Sequence, residues 1–128
     1  MVPKVALILC AALLLHACDC STVTQSATSP DGRWTAEVHR FNGCGGATVR
    51  YYTDIKVRER SAIWPRSHNP VTLRGAKDVT LRWRGARVLV AEVNLRPAEE
   101  LSIRHWKKRV DGLEIALQSR TSTSDRPD

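Results

Sequence analysis

Few residues in this chain of 128 could do covalent chemistry, and they are four cysteines and four histidines. A nucleophilic cysteine needs an adjacent base and an exposed loop. Cys44 lies in a glycine loop, residues 43–46, and His39 or His105 would be its base. No catalytic-cysteine pattern surrounds it, which disfavours this interpretation. A metal centre is also disfavoured, because metal-ligand spacing is absent among His39, Cys44, His68 and His105.

Signatures of other enzyme classes are missing from the sequence. It contains no G-x-S-x-G, no H-E-x-x-H and no evident pair of carboxylates in one site. We therefore predict a protein that is not an enzyme and that needs no cofactor.

The N-terminus has the pattern of an export signal. Met1 and Lys4 supply positive charge, and residues 5–15 (VALILCAALLL) are 11 unbroken apolar residues. A membrane-spanning helix needs about 20, whereas the apolar core of a secretory signal has ~7–15. We predict that residues 1–17 are a signal peptide.

Leu15-His16-Ala17-Cys18 follows this apolar run and resembles the lipobox of bacterial lipoproteins. The resemblance implies cleavage before Cys18, a diacylglycerol on its sulfur and an anchor on the outer side of the cell membrane. His16 departs from the small or apolar residue usual at that place. Asp19 resembles the signal that retains lipoproteins in the inner membrane of hosts with two membranes. A plain secretory signal without a lipid is the alternative.

Two cysteines remain once Cys10 leaves with the signal and Cys18 takes lipid. Export would place Cys20 and Cys44 in an oxidising compartment, where paired thiols tend to form a disulfide. Such a bond, closing a loop of about 24 residues, contributes ~3 kcal/mol. We predict a Cys20–Cys44 disulfide, with a reactive Cys44 as the alternative.

The remaining sequence has the two-residue period of strands. Apolar and polar residues alternate over residues 34–39, 49–58 and 79–84, which predicts strands with one buried face. The nearly continuous apolar run at 88–93 predicts a central strand. Asp111-Gly112 favours a type I′ hairpin that pairs Val110 with Leu113 and Arg109 with Glu114.

These elements predict an all-β domain, a small antiparallel sandwich or open barrel of about six strands. We expect a lipidated flexible tether at 18–29, the β domain at 30–120 and a disordered tail at 121–128. Residues 61–70 hold two prolines and are expected to form a loop. Trp34, Trp83 and Trp106 are expected to face inward. Trp64 is the candidate for an exposed contact, and a tryptophan that covers the end of the small core is an equal alternative.

A second resemblance covers about a quarter of the chain. Ser29-Pro30-Asp31-Gly32-Arg33-Trp34, then residues 44–48 (CGGAT) and 53–57 (TDIKV), resemble a family of short bacterial envelope proteins of uncharacterised function. An extra glycine after Cys44 departs from the family pattern. The resemblance implies an envelope location and supplies no catalytic residues.

The net charge is +7, and it becomes +6 without Lys4. Two groups of basic residues flank predicted turns, and if these turns are neighbours they could bind anionic lipid headgroups or an anionic envelope polymer. A solvated sheet face is the favoured interpretation, and export argues against nucleic acid. The basic residues are Arg82, Arg84, Arg87, Arg104, Lys107, Lys108 and Arg109.

The sequence thus favours a lipid-anchored, non-enzymatic binding or accessory module of the cell envelope. The alternative is a small lipoprotein inhibitor or immunity-type protein that binds an enzyme. A stable protein partner would favour this alternative, and the sequence does not identify one.

Overall fold

A computed structural model of the chain describes residues 20–42, 51–60, 63–64 and 66–122. These residues form two sheets, with strand orders β1-β2-β3-β4-β7 and β5-β6-β9-β8. The all-β prediction is confirmed. No helix within these ranges is long and apolar enough to cross a membrane. The nine described strands are β1 (Ser21–Thr28), β2 (Trp34–Asn42), β3 (Tyr51–Glu59), β4 (Arg66–Arg74), β5 (Asp78–Arg84), β6 (Val88–Leu95), β7 (Ile103–Trp106), β8 (Arg109–Val110) and β9 (Leu113–Thr121).

One hydrophobic core joins the two sheets into a sandwich. The five-stranded sheet contributes alternate residues such as Val38, Ile55 and Leu73, and the four-stranded sheet contributes Leu89 and Ile115. Trp34 is buried in this core, and Trp83 and Trp106 pack against it, as predicted. Two separate sheets agree with a sandwich rather than an open barrel.

The expected flexible tether is wrong over most of its length, because residues 21–28 form strand β1. β1 pairs with β2 in antiparallel register from Ser21–Phe41 to Thr28–Thr35. It also contacts the other sheet: the Leu81 amide donates to the Gln25 side chain at 2.7 Å, and the Trp83 indole donates to the Ala27 carbonyl at 3.0 Å. The polar composition of residues 21–28 led to the wrong prediction, because a strand at the edge of a sheet needs little apolar surface.

Residues 66–70 belong to β4, although the prolines predicted a loop. The β3–β4 register shifts between Ile55–Val71 and Val57–His68, so two β4 residues oppose one β3 residue. Pro70 is one of these two. A bulge tolerates proline because its ladder hydrogen bond is already lost. β1 and β4 were not predicted as strands, and the first arm of the last hairpin forms two strands, β7 and β8. The described residues therefore contain nine strands where about six were predicted.

The turn of the predicted hairpin is confirmed, but its paired arms are shorter than the sequence predicts. Val110 pairs with Leu113 and Arg109 with Glu114, while Asp111 and Gly112 have φ of 47° and 81°, as a type I′ turn requires. Before Arg109 the chain crosses to β4, where Trp106 pairs with Val71. β6 is central as predicted, but its pairing with β9 is parallel, not antiparallel.

The two ends of the sandwich are chemically different. The Cys20 end carries the start of β1, the start of β3 and the β4–β5 connection at Gly75. The Gly112 end carries the turns at Gly32, Gly85 and Gly112. β9 ends at Thr121 on the Cys20 end, so of the predicted tail only residues 123–128 lie outside the described residues.

Candidate functional site

Cys20 sits at the entrance to β1, beside the end of β2. Its carbonyl accepts a hydrogen bond from the Asn42 amide at 3.1 Å. Asn42 is two residues before Cys44, so the β1–β2 register brings Cys20 close to the segment that holds its predicted partner. Cys10, Cys18 and Cys44 lie outside the described residues, and the lipid and the disulfide remain predictions.

The histidines do not gather into one site. His39 and His105 lie in one row across the outer face of the five-stranded sheet, separated by Asp54 and Thr72. Three strand spacings of about 4.8 Å separate them. His68 is elsewhere, with Nε2 2.8 Å from an Asp111 carboxylate oxygen. Within the described ranges, no group of three or more His, Cys, Asp or Glu residues could hold a metal ion.

The seven predicted basic residues are all exposed, and six of them lie on or beside the four-stranded sheet. Arg82, Arg84 and Arg109 lie on the outer face of the four-stranded sheet, where Glu92 and Glu114 are interspersed. Arg87 is in the adjacent turn, with Lys107 and Lys108 in the segment between β7 and β8. Arg104 belongs to the other sheet. The two turns are neighbours at the Gly112 end, where the Glu114 amide donates to the Arg87 carbonyl at 2.8 Å. Of the seven residues, only Arg104 lies apart from them, and binding of an anionic partner by the others stays a prediction.

Arg104 instead helps to form a cleft at the Cys20 end, which we call the tyrosine–arginine cleft. It has a volume of about 590 Å³ and is lined by Tyr51, Tyr52, Arg74, Gly75 and Arg104. The Arg104 guanidinium lies 5.3 Å from the centre of the Tyr52 ring, within cation–π range. Tyr51 is half exposed. The cleft therefore combines amphipathic rings with two planar cations.

Strand pairing sets this geometry. Ser21, Phe41, Tyr52 and Arg74 are successive partners in one row across β1 to β4. A register shift between β4 and β7 leaves Arg104 as an extra residue in β7, and such a bulge re-aims a side chain. No described carboxylate forms an ion pair with either cleft arginine.

A buried polar network supports the cleft from below. Thr53 Oγ1 donates to the Gly75 carbonyl and accepts from the Lys77 amide, each at 2.8 Å. The largely buried Lys77 ammonium donates to a Glu99 carboxylate oxygen at 2.6 Å. Hydrogen bonds from the Arg96 amide and from Lys77 lower the pKa of Glu99. This network fixes the β4–β5 connection that forms the cleft wall.

A second, smaller cleft lies at the Gly112 end, around Trp64. Its volume is about 490 Å³, and Trp64 is 80% exposed, which decides between the two alternatives left by the sequence. An Arg33–Glu59 ion pair at 3.1 Å and an Arg66–Asp111 contact at 3.9 Å surround it. An exposed aromatic ring within paired charges is suited to contact with another macromolecule.

No family model, curated protein or solved structure matches the chain. The tyrosine–arginine cleft was not predicted from the sequence, which singled out Arg104 alone. The adjacent Tyr51-Tyr52 pair was visible as part of an alternating strand, but no local signal indicated that Arg74 and Arg104 would join it. That juxtaposition depends on the β3–β4–β7 order.

Proposed function

We propose that the protein is a lipid-anchored, non-enzymatic binding module of the cell envelope, attached through Cys18 to the outer side of the membrane. The lipobox-like Leu15–Cys18 segment after an apolar run supports the anchor. The observation that carries the proposal is the start of β1 at Ser21, three residues after Cys18. Three extended residues span at most about 10 Å, so a lipid on Cys18 would hold the Cys20 end at the bilayer surface.

Attachment is tested by growing cells with a clickable fatty-acid analogue and purifying the full chain. We expect label on the wild type and on Cys10→Ser, the matched cysteine control in the signal. We expect no label on Cys18→Ser. An unlabelled wild type, or label retained in Cys18→Ser, would contradict the anchor.

The Gly112 end favours a second candidate function, an inhibitor or immunity-type lipoprotein that binds an enzyme. The exposed Trp64, flanked by Arg33 and Arg66, supports it, since Trp and Arg dominate the energetics of protein interfaces. An anchored domain would present this end to the aqueous side. Chemical crosslinking in cells, compared between wild type and Trp64→Ala, tests it: we expect a discrete partner that the variant loses. A wild type that yields no specific partner would reject this candidate.

A further inference from the structure

We propose that the tyrosine–arginine cleft docks on the phosphate headgroups of anionic phospholipids in the membrane that holds the anchor. This inference rests on the proposed function, because the anchor is what brings the Cys20 end to the bilayer. It assigns a binding surface to the side chains of Tyr51, Tyr52, Arg74 and Arg104.

Position is the first argument for this surface. The Cys20 carbonyl bonds to Asn42, and Asn42 pairs with Tyr51, so the cleft begins in the same row of the sheet as the first described residue. Arg74 is three strands from Ser21 in the next row, or about 14 Å at ordinary strand spacing. A chain that leaves Cys20 towards a lipid at Cys18 enters the bilayer beside the cleft.

Charge and shape are the second argument. A guanidinium binds a phosphate through two parallel hydrogen bonds, and Arg74 and Arg104 form no ion pair with any carboxylate in the described ranges. Tyrosine favours the membrane interface, where its ring is apolar and its hydroxyl is hydrated. Tyr51 is 51% exposed, and the nearby Phe41 is 39% exposed. The cleft thus has both the cations and the rings of an interfacial surface.

The basic outer face of the four-stranded sheet serves as an internal control. Arg82 and Arg84 are also exposed, but they lie towards the Gly112 end and share their face with Glu92 and Glu114. Removing them changes the net charge as much as removing Arg74 and Arg104. A difference between the two pairs therefore reports on the cleft and not on overall charge.

The test measures cosedimentation with vesicles, using the chain from residue 18 onward with Cys18→Ser. This chain keeps both sheets, whose core is built from residues 34–115. We expect stronger binding to vesicles of phosphatidylcholine with phosphatidylglycerol than to phosphatidylcholine alone. Arg74→Ala with Arg104→Ala should lower the partition coefficient roughly 25-fold, about fivefold for each cation. Arg82→Ala with Arg84→Ala should lower it much less. Circular dichroism and thermal melting establish that each variant is folded.

Several results would overturn the docking surface. They are equal losses in the two double variants, no preference of the wild type for anionic vesicles, and complete displacement by millimolar glycerol phosphate. The last result would identify a site for soluble phosphate esters. Fatty-acid labelling of Cys18 is a separate readout: absence of label with cleft-dependent vesicle binding rejects the anchor alone, and label without cleft-dependent binding rejects the cleft alone.

Discussion

Glycines with positive φ form the turns at the Gly112 end, and Gly112 itself is the clearest case. Its φ of 81° lies in the left-handed region, which costs an L-residue with a side chain roughly 1–2 kcal/mol. A Cβ there would approach the Arg87 guanidinium at 3.2 Å, whereas a Cβ on Gly32, with φ of 73°, would meet nothing. The two positions share a left-handed backbone conformation and differ in the space available to a side chain.

Gly112→Ala and Gly32→Ala should therefore each lower the free energy of unfolding by about 1 kcal/mol. The two losses should be similar, since the Arg87 side chain is flexible and can move aside. Urea denaturation measures both. A neutral Gly112→Ala variant would contradict the left-handed turn that the hairpin requires.

Two carboxyl groups, those of Asp31 and Glu99, make the free energy of unfolding depend on pH in the acidic range. Hydrogen bonds from the Ser29 hydroxyl and the Arg33 amide lower the pKa of Asp31, and Arg96 and Lys77 lower that of Glu99. A depressed folded-state pKa stabilises the fold above the unfolded-state pKa, and this stabilisation is lost as the pH falls through the folded-state pKa. We expect the free energy of unfolding to decrease below about pH 4. Asp31→Asn with Glu99→Gln should flatten that decrease in urea titrations at pH 7 and pH 3. An equally steep profile in the double variant would exclude these two groups as its source.

At the scale of elements, β1 and β7 connect the two sheets through hydrogen bonds that the sequence pattern does not encode. The Trp106 indole in β7 donates to the Ile115 carbonyl at 3.1 Å, and Gln25 in β1 accepts from Leu81. β1 therefore belongs to the fold and is not a spacer between the fold and the proposed anchor.

Gln25→Ala should lower the free energy of unfolding by about 1 kcal/mol, because it leaves the Leu81 amide without its partner. Thr24→Ala is the matched control on the same strand, since Thr24 is exposed. Chemical denaturation should separate the two variants. If residues 21–28 were a flexible tether, both substitutions would be neutral.

The predicted Cys20–Cys44 disulfide would fix β1 at its start. We expect exported protein to lose two hydrogen masses relative to the reduced chain, and Cys20→Ser, Cys44→Ser and their double variant to be destabilised equally, by ~3 kcal/mol. Intact mass before and after reduction and denaturation of the three variants provide the check. A free Cys44 thiol in exported protein would contradict the bond and revive the nucleophile alternative.

Local pattern and turn chemistry predicted the strands whose residues alternate and the Asp111-Gly112 turn, because those signals lie within a few residues. They failed for β1, which is mostly polar, and for Pro70, whose bulge depends on the partner strand. The parallel β6–β9 pair and the crossing of β7 to β4 depend on long-range packing, which the sequence pattern does not carry. Arg74 could not be predicted as a site residue for the same reason, because only the order of strands in the sheet brings it beside Tyr52.

At the scale of the molecule, the proposed function assigns one end of the sandwich to the membrane and the other to the aqueous side. The Cys20 end combines the chain entry with the tyrosine–arginine cleft, and the Gly112 end presents the exposed Trp64. A lipid on Cys18 would fix this orientation, because only two residues separate Cys18 from β1 and leave the domain little freedom to tumble. The proposed function therefore depends on the orientation of the domain more than on the strength with which it binds.

The most direct test is paramagnetic attenuation of amide NMR signals in the lipidated protein, reconstituted in nanodiscs that contain a headgroup spin label. We expect the strongest attenuation at Tyr51, Gly75 and Arg104, and the weakest at Gly32, Trp64 and Gly112. The strongest attenuation at the Gly112 end, or uniform attenuation over both ends, would contradict the proposed orientation.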